Sequence, residues 1–192
     1  FGEMFKKKPF FIVLEGVEGC GKSYQSKKLK KNLEKKGISS VLTREPGGTK
    51  SAESIRTLIL KDYFNKGKEE KFDKYTDTLL YLAARNEHIK RKIKPNLKKR
   101  KIVICDRFID STIAYQVYGK KVKRSFIDHI HKFILQGIKP NITILLKVSP
   151  KSSKLRLKKR KTKNRYDNFP TKFYLKAQNS FIKLSKNRRD HI

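Results

Sequence analysis

The sequence contains no tryptophan, one methionine and two cysteines, and it sets only 17 acidic residues against 50 basic ones. Each shortage removes a class of protein. Cys20 and Cys105 cannot build the disulfide framework of a small secreted domain, so a reducing, cytoplasmic setting is expected. No apolar run approaches the roughly 18 residues that a spanning helix needs. The basic stretch before the first apolar run lacks a small-residue cleavage site and does not read as a signal peptide. With no internal repeat and no linker, the 192 residues read as a single domain.

The shortage of acid leaves a net charge of +33. Of the 50 basic residues 38 are lysine, spread along the whole chain, and Asn, Ile, Phe and Tyr are also frequent. That usage fits an A- and T-rich genome better than a dedicated nucleic-acid surface, so nucleic acid is not expected as a partner. The field still favours anionic small molecules such as nucleotides.

What is present is a regular alternation. Strand-length apolar runs at "FFIVLEG", "SSVLT", "KIVIC" and "ITILLKV" alternate with segments of helical spacing. The helical segments are "SYQSKKLKKNLEKKG", "KSAESIRTLIL" capped by Thr49, "TDTLLYLAARNEHIKRKI", "IDSTIAYQVY", "SFIDHIHKFILQG" and "FPTKFYLKAQNSFIKLSK". The third shows an apolar stripe at Leu79, Leu80, Ala83 and Ala84. The pattern predicts an α/β fold of three layers, a parallel sheet flanked by helices. Ligands on such a sheet sit at the carboxyl ends of the strands, where three loops follow: the glycine loop, "REPGG" and "DRF".

Gly16 to Ser23, "GVEGCGKS", fits the phosphate-binding pattern G-x-x-x-x-G-K-[ST] between a buried strand and a helix. Gly16, Gly19 and Gly21 free the backbone N–H groups to face phosphate oxygens. Lys22 brings a positive charge to the β- and γ-phosphates of ATP, and Ser23 can bind Mg²⁺. Glu18 is the anomaly, a carboxylate inside a loop that holds anions. It must face an acceptor-seeking group, a sugar hydroxyl or a metal-bound water, and so implies a second substrate.

"EGVEGCGKS", "TREPGGT", "YLAAR" and "DRFIDSTIAYQ" occur in the order found in thymidylate kinases of the bacterial type, and the chain resembles that family from about Phe10 onward. The resemblance implies Mg²⁺-dependent transfer of the ATP γ-phosphoryl group to dTMP by a cytoplasmic homodimer. It implies that Tyr81 stacks on the thymine ring, Arg85 donates to its O4, and Thr112 and Gln116 lie at the edge of the base. It places Tyr115 against the sugar, where no 2′-hydroxyl fits, and Ser111 in the turn into that helix. Arg44, Arg56 and Arg107 match arginines that hold the acceptor phosphate, and Glu18 faces the monophosphate, with Glu45 assisting through water. Asp106 either orders Mg²⁺ or its waters, or only fixes Arg107. Some relatives carry a loop arginine where this chain has Gly19. Here the arginines fall instead in a basic lid at about 156–168, with Arg156, Arg160 and Arg165 at matching positions; Arg160 is expected to close over the ATP phosphates with Arg165 in support.

Several positions depart from the family pattern. Lys147 stands where an Asp is usual, Asn141 follows Pro140 in place of Asp, "NRYD" replaces "DRxE", and Tyr24, expected to pack, replaces Thr. The family also implies a further strand and helix beyond the position of Ile192, so either the chain is truncated or its adenine site is incomplete; no adenine contacts are assigned. His88 and His191 look isolated, and His129 and His131 face different ways on one helix. Two other activities fit the same motifs: a kinase acting on dUMP or on two deoxynucleotides, and a P-loop NTPase stimulated by nucleic acid.

Overall fold

The computed structural model describes residues 8–60, 71–159, 171–186 and 188–192. The four apolar runs form β1 (Phe10–Glu15), β2 (Ser40–Arg44), β3 (Ile102–Asp106) and β4 (Ile142–Leu145), the last shorter than its apolar run. They pair parallel in the order β2-β3-β1-β4. Parallel neighbours need crossovers, and helices supply them. These are α1 (Lys22–Lys35), α2 (Lys50–Leu60), α3 (Lys74–His88), α4 (Lys94–Lys98), α5 (Ile109–Thr112), α6 (Arg124–Ile134), α7 (Pro150–Lys158) and α8 (Thr171–Lys186).

Strand alternation sorts the core. Phe11, Val13, Val103 and Cys105 face one side of the sheet and pack with Ile89, Ile93 and Phe108. Ile12, Leu14, Ile102 and Ile104 face the other, against Leu29 and Leu33 of α1. Both faces are covered, which explains why the strands read as continuous apolar runs. Thr49 caps α2 as expected, its Oγ1 accepting from the Ala52 N–H at 3.2 Å. Asn141 Oδ1 accepts the Phe11 N–H at 2.7 Å and ties the start of β4 to β1. Asp190, His191 and Ile192 run parallel to β4, the Leu145 N–H donating to Ile192 O at 2.8 Å and the Thr143 N–H to Asp190 O at 2.7 Å. No helix among the described residues is long and apolar enough to cross a membrane.

Two expectations do not hold as stated. The buried face of α3 only partly follows the apolar stripe: Ala84 is buried and Leu80 half-buried, but Leu79 is 47% exposed and Ala83 exposed, and Asp77, Thr78, Leu82, Arg85 and His88 are buried instead. Arg85 and His88 turn inward because buried polar partners await them, and that outweighs the transfer free energy of one leucine. Tyr24 does not pack and is 67% exposed at the mouth of the cleft described below.

The helix also widens where the sequence shows no break. Ile89–Ile93 and Ile113–Gly119 are π-helical, the second bringing Ile113, Ala114, Tyr115 and Gln116 to the interior in succession. Such turns often occur at functional sites.

If α3 buries this face, Leu82→Ala costs about 2–5 kcal/mol of unfolding free energy, while Tyr24→Ala stays within about 0.5 kcal/mol. Urea denaturation midpoints of the two variants check both values.

Candidate active site

The strands end level with one another. Leu14 and Arg44 both pair with Asp106, so the loops after β1, β2 and β3 leave the sheet at the same height. They bound a cleft of about 530 Å³.

The phosphate loop forms one wall. Gly16 and Gly19 have φ of +136° and +72°, and a Cβ on Gly16 would stand 2.4 Å from Leu146 O. A Cβ on Gly19 would meet the Ser153 backbone of α7 at 2.9 Å, so this chain has no room for a loop arginine there. Helix α7 grips the loop: Ser153 Oγ donates to Glu18 O at 2.8 Å and Arg156 Nη1 to Gly19 O at 3.0 Å. Gly21 precedes α1 with φ of +102°. Lys22 Nζ is buried and donates to Gly16 O and Val17 O, both at 2.9 Å. Ser23 Oγ donates to Asp106 Oδ2 at 2.7 Å, joining the loop to the end of β3.

Arg107 occupies the centre of the cleft. Its backbone is left-handed, with φ of +75°. Its Nη2 donates to Glu18 Oε1 at 2.8 Å, and its Nη1 donates to Gly16 O at 2.9 Å and to Ser111 Oγ at 3.0 Å. The guanidinium also lies 5.3 Å from the centre of the Tyr115 ring. Burial opposes its charge, but Tyr115, Glu18, Asp106 and Glu15 outweigh that and raise its pKa well above the usual guanidinium value. Glu18 Oε2 accepts the Tyr115 hydroxyl at 2.6 Å, so one carboxylate orients both the arginine and the tyrosine. Asp106 accepts from Ser23, while the guanidinium hydrogen bonds of Arg107 go to Glu18, Gly16 O and Ser111; Asp106 acts on Arg107 only through its charge.

A second buried cation lies deeper. Arg85 meets Glu45 Oε2 through Nε and Nη2, both at 2.8 Å, and donates through Nη2 to Phe108 O at 2.9 Å. Its Nη1 lies 2.9 Å from His131 Nε2. Glu45 Oε1 lies 3.0 Å from His88 Nδ1, and His88 Nε2 lies 2.6 Å from Thr43 Oγ1. Burial alone would raise the Glu45 carboxyl; Arg85 and His88 outweigh it and lower it. Burial, Arg85 and Arg124 depress the His131 imidazole to about 3, so it is neutral and must accept from Arg85. Glu45 lines the cleft with both carboxylate oxygens engaged by Arg85 and His88, and His88 is not isolated. Nor is His191, whose Nε2 lies 2.7 Å from Asp110 Oδ2.

A glycine-rich phosphate loop thus faces a cleft lined by two carboxylate-braced arginines, Arg85 buried and Arg107 partly buried. The family model described as thymidylate kinase matches residues 14–192. The chain belongs to the thymidylate kinase family. It is 41% identical over 182 residues to the thymidylate kinase of Vesicomyosocius okutanii, covering 95% of this chain and 86% of that one. It is 37% identical over 177 residues to that of Hahella chejuensis, covering 92% and 83%. The crystal structure of thymidylate kinase from Ehrlichia chaffeensis superimposes with a TM-score of 0.74 at 34% identity, over 96% of this chain and 84% of that one.

The residues expected from the thymidylate kinase pattern mostly line this one cleft. Tyr81, Arg85, Ser111, Thr112, Tyr115 and Gln116 lie on its far wall, with Arg44 and Arg56 at its side. Gln116 Nε2 is buried with no hydrogen-bond partner among the described residues. Arg44 Nη2 donates to Glu53 Oε2 at 3.0 Å, and Arg56 Nη1 to Pro46 O at 2.7 Å. Arg160 and Arg165 lie outside the described residues. The sequence reading missed Glu15, His88 and His131, each of which braces a cleft arginine or its turn. Only the presence of a carboxylate at the last position of a buried strand could have flagged Glu15.

His131 supplies a test with a defined sign. Its pKa falls below that of the unfolded chain, so its contribution to stability is intact above about pH 6.5 and is lost as pH falls toward 3. His131→Asn keeps an oxygen acceptor for Arg85 without the titration. Urea unfolding at pH 7.5, 6 and 4.5 should show the native chain losing on the order of 2 kcal/mol more than the variant by pH 4.5.

Proposed function

We propose that this chain transfers the γ-phosphoryl group of ATP to dTMP, giving dTDP and ADP, as a cytoplasmic homodimer of single-domain protomers. The observation that carries the acceptor assignment is Gln116 Nε2, buried without a hydrogen-bond partner among the described residues in the cleft that Tyr81, Arg85 and the phosphate loop also line. A pyrimidine would be held between an aromatic face and donors that suit a carbonyl-bearing ring.

Two roles follow for the charged groups. Lys22 exchanges its bonds to Gly16 O and Val17 O for oxygens of the β- and γ-phosphates. Arg107 holds the phosphate of dTMP, with Arg44 and Arg56 beside it, because a planar, always charged guanidinium binds phosphate in a fixed geometry. Arg56 is itself crowded: burial and Arg44 lower its pKa, and an incoming dianion would relieve both cations. Glu18, already turned by Arg107 and Tyr115, keeps Tyr115 against the sugar and rejects ribose.

Ser23 and Asp106 offer hard oxygen donors 2.7 Å apart, a fitting pair for Mg²⁺ or its waters. When bound, the ion neutralises charge on the β- and γ-phosphates. Phosphoryl transfer then asks for positioning and exclusion of water. In this reading the lid at about 156–168 closes with Arg160 over the ATP phosphates and Arg165 in support, while Ser153 and Arg156 tie the preceding helix to the loop. Leu58 of α2 and Leu79 of α3, 42% and 47% exposed on helices that pack together, offer apolar surface for the dimer.

A coupled ADP-release assay with ATP and Mg²⁺ compares dTMP, dUMP, dCMP and ribothymidine monophosphate. The expected order places dTMP first, dUMP lower for want of the methyl group by roughly 10- to 200-fold, and dCMP and the ribonucleotide below that. A dUMP rate equal to dTMP would instead favour the dual-specificity reading. Turnover without acceptor, stimulated by DNA, would overturn the kinase assignment.

A further inference from the structure

Glu15 closes β1 and is 1% exposed, yet the phosphate-loop pattern assigns it nothing. Its contacts all point across the sheet to the turn after β3. Oε1 accepts the Phe108 N–H at 2.8 Å and the Ser111 N–H at 3.1 Å, and Oε2 accepts the Ser111 hydroxyl at 2.6 Å. Ser111 Oγ in turn accepts from Arg107 Nη1 at 3.0 Å, and the same Nη1 donates to Gly16 O.

We infer that Glu15 is a positioning residue for the acceptor phosphate, fixing the Arg107 guanidinium through Ser111, and that its ionisation sets how firmly that phosphate is held. The inference rests on the reading of Arg107 as the group that binds the dTMP phosphate.

A hydroxyl has one proton to give. While Glu15 is a carboxylate, the Ser111 proton is committed to Oε2 and a Ser111 lone pair is turned to Arg107. A protonated Glu15 becomes a donor itself. Ser111 then accepts from both Glu15 and Arg107, its own proton loses its acceptor, and the charge that oriented and polarised the hydroxyl is gone, so Arg107 is held less firmly. Because Arg107 already holds a left-handed backbone, it depends on such partners to stay in place.

The charged surroundings of Glu15 come from four directions. Arg107 and Cys105 belong to β3 and the following turn, and Asp110 to α5. Behind Asp110 stand Arg188 and His191 of the C-terminal segment, at 2.9 and 2.7 Å from its carboxylate, and Glu18 stands across Arg107. Burial and Asp110 push the Glu15 carboxyl up to about 7, against the pull of Arg107, Ser111 and the Phe108 N–H. Below that pH the proton is bound and the bracing is lost; above it the bracing is intact. The phosphate of dTMP itself takes up a proton near pH 6, so the enzyme contribution must be read as a difference between variants.

Steady-state kinetics from pH 5.5 to 8.5, at saturating ATP with dTMP varied, would compare the native chain with Glu15→Gln, Asp110→Asn and Arg107→Ala. At pH 8 Glu15→Gln should raise KM for dTMP roughly tenfold, as expected for one charge-assisted bond, and leave KM for ATP within about twofold. The native advantage in kcat/KM should shrink as pH falls through 7, and the ratio cancels the ionisation of the substrate. Asp110→Asn removes a repulsion from Glu15 and should move that step to lower pH. If Glu15→Gln does not melt cooperatively, Asp110→Asn decides alone, and an unmoved step overturns the inference. So does an unchanged KM for dTMP in Glu15→Gln while Arg107→Ala raises it, or a rise in KM for ATP as large as that for dTMP. If Arg107→Ala leaves KM for dTMP unchanged, the assignment of Arg107 fails, and the inference with it.

Discussion

Much of the site depends on holding the partly buried Arg107 cation in place. A guanidinium largely withdrawn from water must be matched by acceptors, and a left-handed backbone at a non-glycine residue costs on the order of 1–3 kcal/mol unless its surroundings enforce it. Glu18, Gly16 O and Ser111 supply the acceptors, and the Arg107 N–H donates to Leu14 O at 2.9 Å. Three of these partners come from β1 or the loop it launches. The phosphate loop and the "DRF" turn are therefore held as one unit. The negative charge of Glu18 is tolerable in an anion-binding loop because it is spent on Arg107 and Tyr115 rather than turned toward donor phosphates.

The same solution recurs a layer deeper. Arg85 is buried against Glu45, with His131 and Phe108 O taking further N–H groups, and His88 closing the far side of the carboxylate. Each pair draws its carboxylate from the loop or residue following a strand and its arginine from a helix or turn opposite. Losing one partner would leave an uncompensated buried charge, which is far more costly than never having had the pair. Side chains fixed in this way suit a thymidylate kinase, whose task is to position two nucleotides and not to form a covalent intermediate.

The strands, their parallel pairing and the loops at their carboxyl ends were legible because apolar runs, glycine spacing and the phosphate-loop pattern are local signals; the order of the strands was not. So were most cleft residues, since the four motifs carry them in sequence. What was not legible depends on contacts between distant segments. The face α3 buries is decided by Glu45 and His131, 40 and 46 residues from Arg85, and the apolar stripe misled at Leu79, which stays 47% exposed. The widened turn that turns Gln116 inward has no sequence marker in "IAYQVYG". Glu15 looked like the end of a strand, and only the fold brings Phe108 and Ser111 to it.

In the proposed reading Arg107 holds the dTMP phosphate by geometry, braced by the phosphate loop, and not merely by charge. Calorimetric titration of dTMP without ATP, into the native chain and into Arg107→Lys, separates the two. Lysine keeps the charge and loses the planar fork, so the account predicts an affinity at least tenfold weaker, on the order of 1.4 kcal/mol. Equal affinity in the two proteins would contradict it.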